Sequence, residues 1–136
     1  GYIASPDGDR DILSEAMRLM KRGGRLLIDI VNGGVLRSGF QPAAWHEIGE
    51  DIVVCRRRSL EGDIVYTREL VVSKTSGLVK DSTYLLRIYD PDAMRLLLSE
   101  VGFSNVNVIG DFSPFAKKGD FGFMNFRMIV TAEKPA

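Results

Sequence analysis

Residues 19–32, LMKRGGRLLIDIVN, decide how this chain is read. The pattern predicts a helix ending at Lys21-Arg22, a turn on Gly23-Gly24, and a strand over Arg25 to Val31. Leu26, Leu27, Ile28, Ile30 and Val31 make the strand almost continuously apolar. That is the pattern of a strand covered on both faces, as in the parallel sheets of α/β folds. Asp29 interrupts the run near its C-terminal end, where strands of such folds reach a ligand crevice. The other use for this carboxylate is a hydrogen bond to loop backbone.

On the N-terminal side, the helix is expected from about Asp9 to Arg22. Ile12, Leu13, Ala16, Met17 and Met20 recur at helical spacing and give it one apolar face. Asp7, Asp9 and Asp11 crowd its start, where the helix dipole favours negative charge. Lys21, Arg22 and a left-handed Gly23 suit its end.

On the C-terminal side, Val31 to Gly49 reads as a long loop carrying Asn32, Arg37, Phe40 and the single tryptophan, Trp45. Loops of that length are often functional. Its glycines do not form a phosphate loop, because no GKS or GKT follows. Three strand-like segments come next: Asp51 to Ser59, Ile64 to Ser73 and Val79 to Tyr89. The tight turns joining them predict an antiparallel meander. Arg56, Arg57 and Arg58 are consecutive, so a strand points them to both faces. They read as a solvated or ion-paired strand, with an anion site as the alternative. Asp90-Pro91 opens a second helix. Met94, Leu97, Leu98 and Val101 form its stripe, Gly102 ends it, and Phe103 folds back onto Leu98. Two further strands, Asn105 to Gly110 and Phe126 to Lys134, enclose a segment with Phe112, Phe115, Phe121 and Phe123, a pocket wall or a minor core.

At 136 residues the chain makes one domain. Eighteen basic residues balance eighteen acidic ones, which argues against a nucleic-acid partner or an anionic membrane surface. No apolar run approaches the ~20 residues of a membrane span, and the N-terminus lacks a signal-peptide pattern. One cysteine, Cys55, allows no internal disulfide, and the expected location is the reducing cytoplasm. One cysteine and one histidine, His46, do not make a thiolate or imidazole zinc site. His46 is the only side chain with a near-neutral ordinary pKa, and so a candidate base. The opening GYIASPDG starts in mid-pattern, as if cut from a longer chain.

The segment LMKRGGRLLIDIVN resembles the "rvLkpGGrlliD" segment of class I S-adenosylmethionine-dependent methyltransferases. YLLRIYDPDAMRLLLSEVGFSNVNVIGDF resembles their arginine-tyrosine pair, helix, "aGF" and sixth strand. FRMIVTAEKP resembles their antiparallel seventh strand, and GYIASPDGDRDIL resembles the segment after their fourth strand. The resemblance implies the C-terminal half of a Rossmann-like α/β domain: a mixed sheet in strand order 5-7-6 with flanking helices, and residues 50–89 as an antiparallel insertion. It further implies S-adenosyl-L-methionine as cofactor of the complete enzyme. The glycine-rich cofactor loop and the ribose-binding acid of the family are not in these residues.

What this half would contribute is the pocket for a small-molecule methyl acceptor. The resemblance places Tyr2 near the methyl donor, Asn32 and Arg37 beyond the fifth strand, and Trp45, Arg87 and Tyr89 in the meander and its exit. No catalytic residue is assigned. The bare edge of strand 25–31, unpaired in this chain, predicts a homodimer. The competing reading is a non-enzymatic dimerisation or ligand-binding half-domain.

Overall fold

Gly23 takes a left-handed turn (φ 70°), and its N–H donates to the carbonyl of Lys134 at 2.9 Å. This turn joins α1 (Gly8–Leu19) to β1 (Arg25–Val31) in the computed structural model of the chain, which describes residues 1–112 and 125–136. Helix α1 stops earlier than its charge pattern predicts, because Met20 is already extended. Its last carbonyls are satisfied from elsewhere: the Lys134 ammonium donates to Met17 O at 2.7 Å and to Met20 O at 2.9 Å. A cation at the negative end of the dipole has the same effect as one on the helix itself.

The chain continues as α2 (Gly33–Ser38), β2 (Ala43–Ile48), β3 (Ile52–Glu61), β4 (Ile64–Ser73) and β5 (Gly77–Arg87). It ends with α3 (Pro91–Val101), β6 (Ser104–Phe112) and β7 (Arg127–Glu133). Phe115, Phe121 and Phe123 lie outside the described residues.

One sheet has the order β1-β7-β6, with β7 antiparallel to both neighbours. The order, with an antiparallel middle strand, is the one expected for these three strands. Met128, Val130 and Ala132 of β7 are buried, with Leu13 of α1, Met94 and Leu98 of α3, and Phe103. Burying side chains of the Leu98 kind contributes about 1.5–3 kcal/mol each. Gly102, left-handed at φ 107°, ends α3, and Phe103 N–H donates back to Leu98 O at 3.0 Å as expected. Both helices lie against one face of this sheet. On its other face Leu27 is 67% exposed and Ile109 54%. The expectation that β1 is covered on both faces therefore fails within this chain: burial alternates along it, and only one face has a helical layer among the described residues.

The second sheet corrects two further expectations. Residues 31–49 are not an irregular loop. Asn32 accepts hydrogen bonds from the N–H groups of Gly34 and Val35 and starts the short helix α2, and β2 comes after it. The predicted three-stranded meander is accordingly a four-stranded antiparallel sheet, β2-β3-β4-β5. The two sheets share a second core, in which Val31 and Leu36 meet Val65, Leu86 and Ile88.

Candidate functional site: the cleft at the end of strand β1

Strand β1 ends against the exit of β5. Asn32 and Tyr89 form a parallel bridge, and Gly33 N–H donates to Tyr89 O at 2.8 Å. A Cβ on Gly33 would lie 2.9 Å from the Tyr89 carbonyl carbon and oxygen, so this approach requires glycine. Asn32, 4% exposed, also donates from Nδ2 to Gly110 O at 3.1 Å. Its side chain thus ties three segments together at the strand end.

The arginine-tyrosine pair of the β5 exit turns toward α1. Tyr89 Oη donates to Asp9 Oδ2 at 2.8 Å, and Arg87 Nε lies 3.7 Å from the same oxygen. Burial comes first, and the bond and charge of Asp9 add to it, in holding the Tyr89 phenol above its ordinary pKa of 10.0. It is therefore a neutral donor at physiological pH. Arg87 Nη2 also donates to Ala4 O at 3.4 Å, and Tyr2 stacks at a tilt against Tyr84, with ring centroids 6.3 Å apart. Across the strand end, Arg127 donates from Nε to Asp29 Oδ1 and from Nη2 to Asp29 O, both at 2.9 Å. The Asp29 carboxylate is thus held by a cross-strand arginine rather than by loop backbone, at a strand end that does border a cleft.

Between these groups lies a cleft of about 210 Å³, lined by Tyr2, Asp29, Leu86, Arg87, Tyr89 and Arg127 among others. Asp9 and Tyr89 also line a more apolar cleft of about 180 Å³, walled by Ile28, Ile30, Met94 and Leu97. Of the sequence-predicted residues, Tyr2, Arg87 and Tyr89 gather at the first cleft. Asn32 lies behind it as a cap. Arg37 holds the β3–β4 turn, donating to Gly62 O at 2.9 Å and pairing with Asp63. Trp45 is 67% exposed on β2, opposite Cys55. Sequence reasoning misses Asp9 and Arg127 as partners in the site. In the sequence Asp9 is one of three aspartates that all suit the helix dipole, and Arg127 is one polar residue at the start of an apolar strand.

No protein-family model and no curated protein sequence matches the chain. Solved structures do. A S-adenosylmethionine-dependent methyltransferase from Clostridium acetobutylicum ATCC 824 matches over 99% of this chain at TM-score 0.71 and 14% identity. The chain has a methyltransferase fold. The CcbJ methyltransferase from Streptomyces caelestis matches over 96% at TM-score 0.71 and 16% identity. CalS10 from Micromonospora echinaspora, an amino pentose methyltransferase of calicheamicin biosynthesis solved with S-adenosylmethionine bound, matches over 96% at TM-score 0.57 and 12% identity. The chain spans only 54%, 51% and 52% of those three chains.

The residues present here do not by themselves form a site for S-adenosylmethionine. The cleft, about 210 Å³, is below the roughly 300–1,000 Å³ typical of small-molecule pockets. Two of its charged lining groups, Asp29 and Arg127, already engage one another. What it offers is a neutral phenol donor and a partly engaged guanidinium at a strand end.

Proposed function

We propose that these residues form the acceptor-binding part of a S-adenosylmethionine-dependent methyltransferase acting on a small molecule. The observation that carries the reading is the match of nearly the whole chain, in one piece, to half of each of three methyltransferase structures. In this reading the four-stranded sheet is the family's insertion after the fifth strand, and Tyr2, Arg87 and Tyr89 face the acceptor. Holding the acceptor atom aligned is most of what such an enzyme must do. Tyr89 would donate a hydrogen bond to it, and Arg87 would bind an anionic group where the acceptor has one.

The test uses the whole reading frame to which residues 1–136 belong. It is incubated with methyl-labelled S-adenosylmethionine and a panel of small amines and hydroxyl compounds. Label should move to a small acceptor, and Arg87→Gln should lower kcat/KM about tenfold or more, the loss expected when a charge-assisted bond is removed. Absence of transfer to any small molecule, or an Arg87→Gln enzyme with unchanged kcat/KM, would contradict it.

A second reading is supported by one specific feature. The edge of β1 away from β7 is unpaired among the described residues, and Leu27 and Ile109 expose apolar surface on the adjoining face. In that reading the chain is a half-domain whose role is dimerisation or ligand binding.

A further inference from the structure

The run Arg56-Arg57-Arg58 is divided by β3 between the two faces of the four-stranded sheet. Arg56 donates to Glu69 Oε2 at 2.9 Å and contacts His46 Nδ1 at 3.3 Å. Arg58 is 6% exposed, and its Nη1 lies 3.5 Å from Gln41 O. Both belong to the face that meets the second core. Arg57 points the other way and is exposed, with no hydrogen bond or ion pair from its side chain among the described residues. Its direct cross-strand partner is another arginine, Arg68.

Like charges directly opposite each other in an antiparallel pair are destabilising. Here the charge is only partly offset. Asp81 is gripped by Arg68 through two bonds, Nε to Oδ1 at 3.0 Å and Nη2 to Oδ2 at 2.7 Å, which leaves the row one positive charge in excess. That row borders a depression of about 560 Å³. Arg57, Arg68 and Thr83 stand on one side of it, and Ser59, Tyr66 and Leu85 on the other. All six project from the exposed face by strand parity. The depression is open toward solvent. Its wall combines an exposed guanidinium fork with three hydroxyl donors, the donor set that recognises an oxyanion.

We infer that this face of the four-stranded sheet is a binding site for the oxyanion end of a small molecule, a phosphate or a carboxylate, anchored by Arg57. Arg68 contributes its remaining N–H groups while Asp81 holds it in place. Ser59, Tyr66 and Thr83 are the neutral donors. The site is independent of the cleft at the end of β1 and of the activity proposed for it.

The test is an NMR titration of the 136-residue chain, with the arginine Nε–Hε signals as the readout. The probes are sodium phosphate and, separately, sodium acetate, with ionic strength held constant by sodium chloride. The Arg57 signal should move saturably, and R57Q should weaken the response of the remaining signals at least tenfold. R18Q, on helix α1, should leave it unchanged. Saturation by phosphate alone identifies a phosphate-bearing ligand, and saturation by both identifies oxyanions in general; either supports the site. Shifts that stay linear, that chloride alone reproduces, or that R57Q retains would overturn it. R57Q replaces an exposed side chain, and an unchanged amide spectrum verifies that the variant is folded.

Discussion

At the scale of single residues, the site depends on a few donors and acceptors that each serve several partners. Asp9 Oδ2 meets both the Tyr89 hydroxyl and the Arg87 guanidinium, so one carboxylate orients both polar groups of the β5 exit. The Tyr89–Asp9 bond has a pH signature. Because the folded phenol titrates above its ordinary value of 10.0, its contribution to stability is complete below about pH 10. It is lost as pH rises from there through the folded value. Urea unfolding of Tyr89→Phe should therefore show a loss of about 1 kcal/mol at pH 7, and the gap to the unsubstituted chain should narrow above pH 10. A gap that stays constant through the alkaline range would mean that the phenol does not titrate as this bond requires.

At the scale of elements, α2 follows β1 directly and places Leu36 in one core with Val31 and Leu86, two residues of the cleft lining, and Asn32 starts it. Asn32→Ala removes the cap from Gly34 and Val35 and the donor to Gly110 O. The expected cost is about 2 kcal/mol, from a cap of about 1 kcal/mol and a buried bond of similar size. Val35→Ala, on the exposed side of the same helix, should shift the urea midpoint far less. The contrast between α2 and its neighbours explains what the sequence can and cannot disclose. Strand β1 is readable to the residue because five apolar side chains come directly after a glycine turn. Helix α3 is readable because Asp90, Pro91 and Gly102 mark both ends, and the structure uses all three as caps or first-turn residues. Helix α2 has two glycines in its first turn and only six residues, too short and too poor in helix formers to give a periodic signal. Its one legible mark is Asn32, a favoured N-cap residue that suits a pocket equally well. Strand β2 is hidden because two of its six residues are alanines, which dilute the alternation around Trp45. The cleft is legible where motif residues carry it, at Arg87 and Tyr89. It is illegible at Asp9 and Arg127, whose partners are 80 and 98 residues distant.

At the scale of the whole molecule, a three-stranded sheet covered on one face is an incomplete layer. Strand β1 pairs with β7 on one side only among the described residues, and Leu27 stands on the open face at 67% exposure. Unpaired strand edges beside apolar surface invite association. Sedimentation of the 136-residue chain should show a concentration-dependent dimer, and Leu27→Lys should shift it toward monomer. A monomer at all concentrations would contradict association through this edge and face. The same incompleteness bears on the cofactor. The chain spans about half of each of the three methyltransferases named above, and the cleft at the end of β1, about 210 Å³, lies below the usual range of small-molecule pockets. The most direct measurement is a calorimetric titration of the 136-residue chain with S-adenosylhomocysteine. The expected result is no saturable heat at micromolar concentrations; micromolar binding would contradict the assignment of these residues to the acceptor side alone.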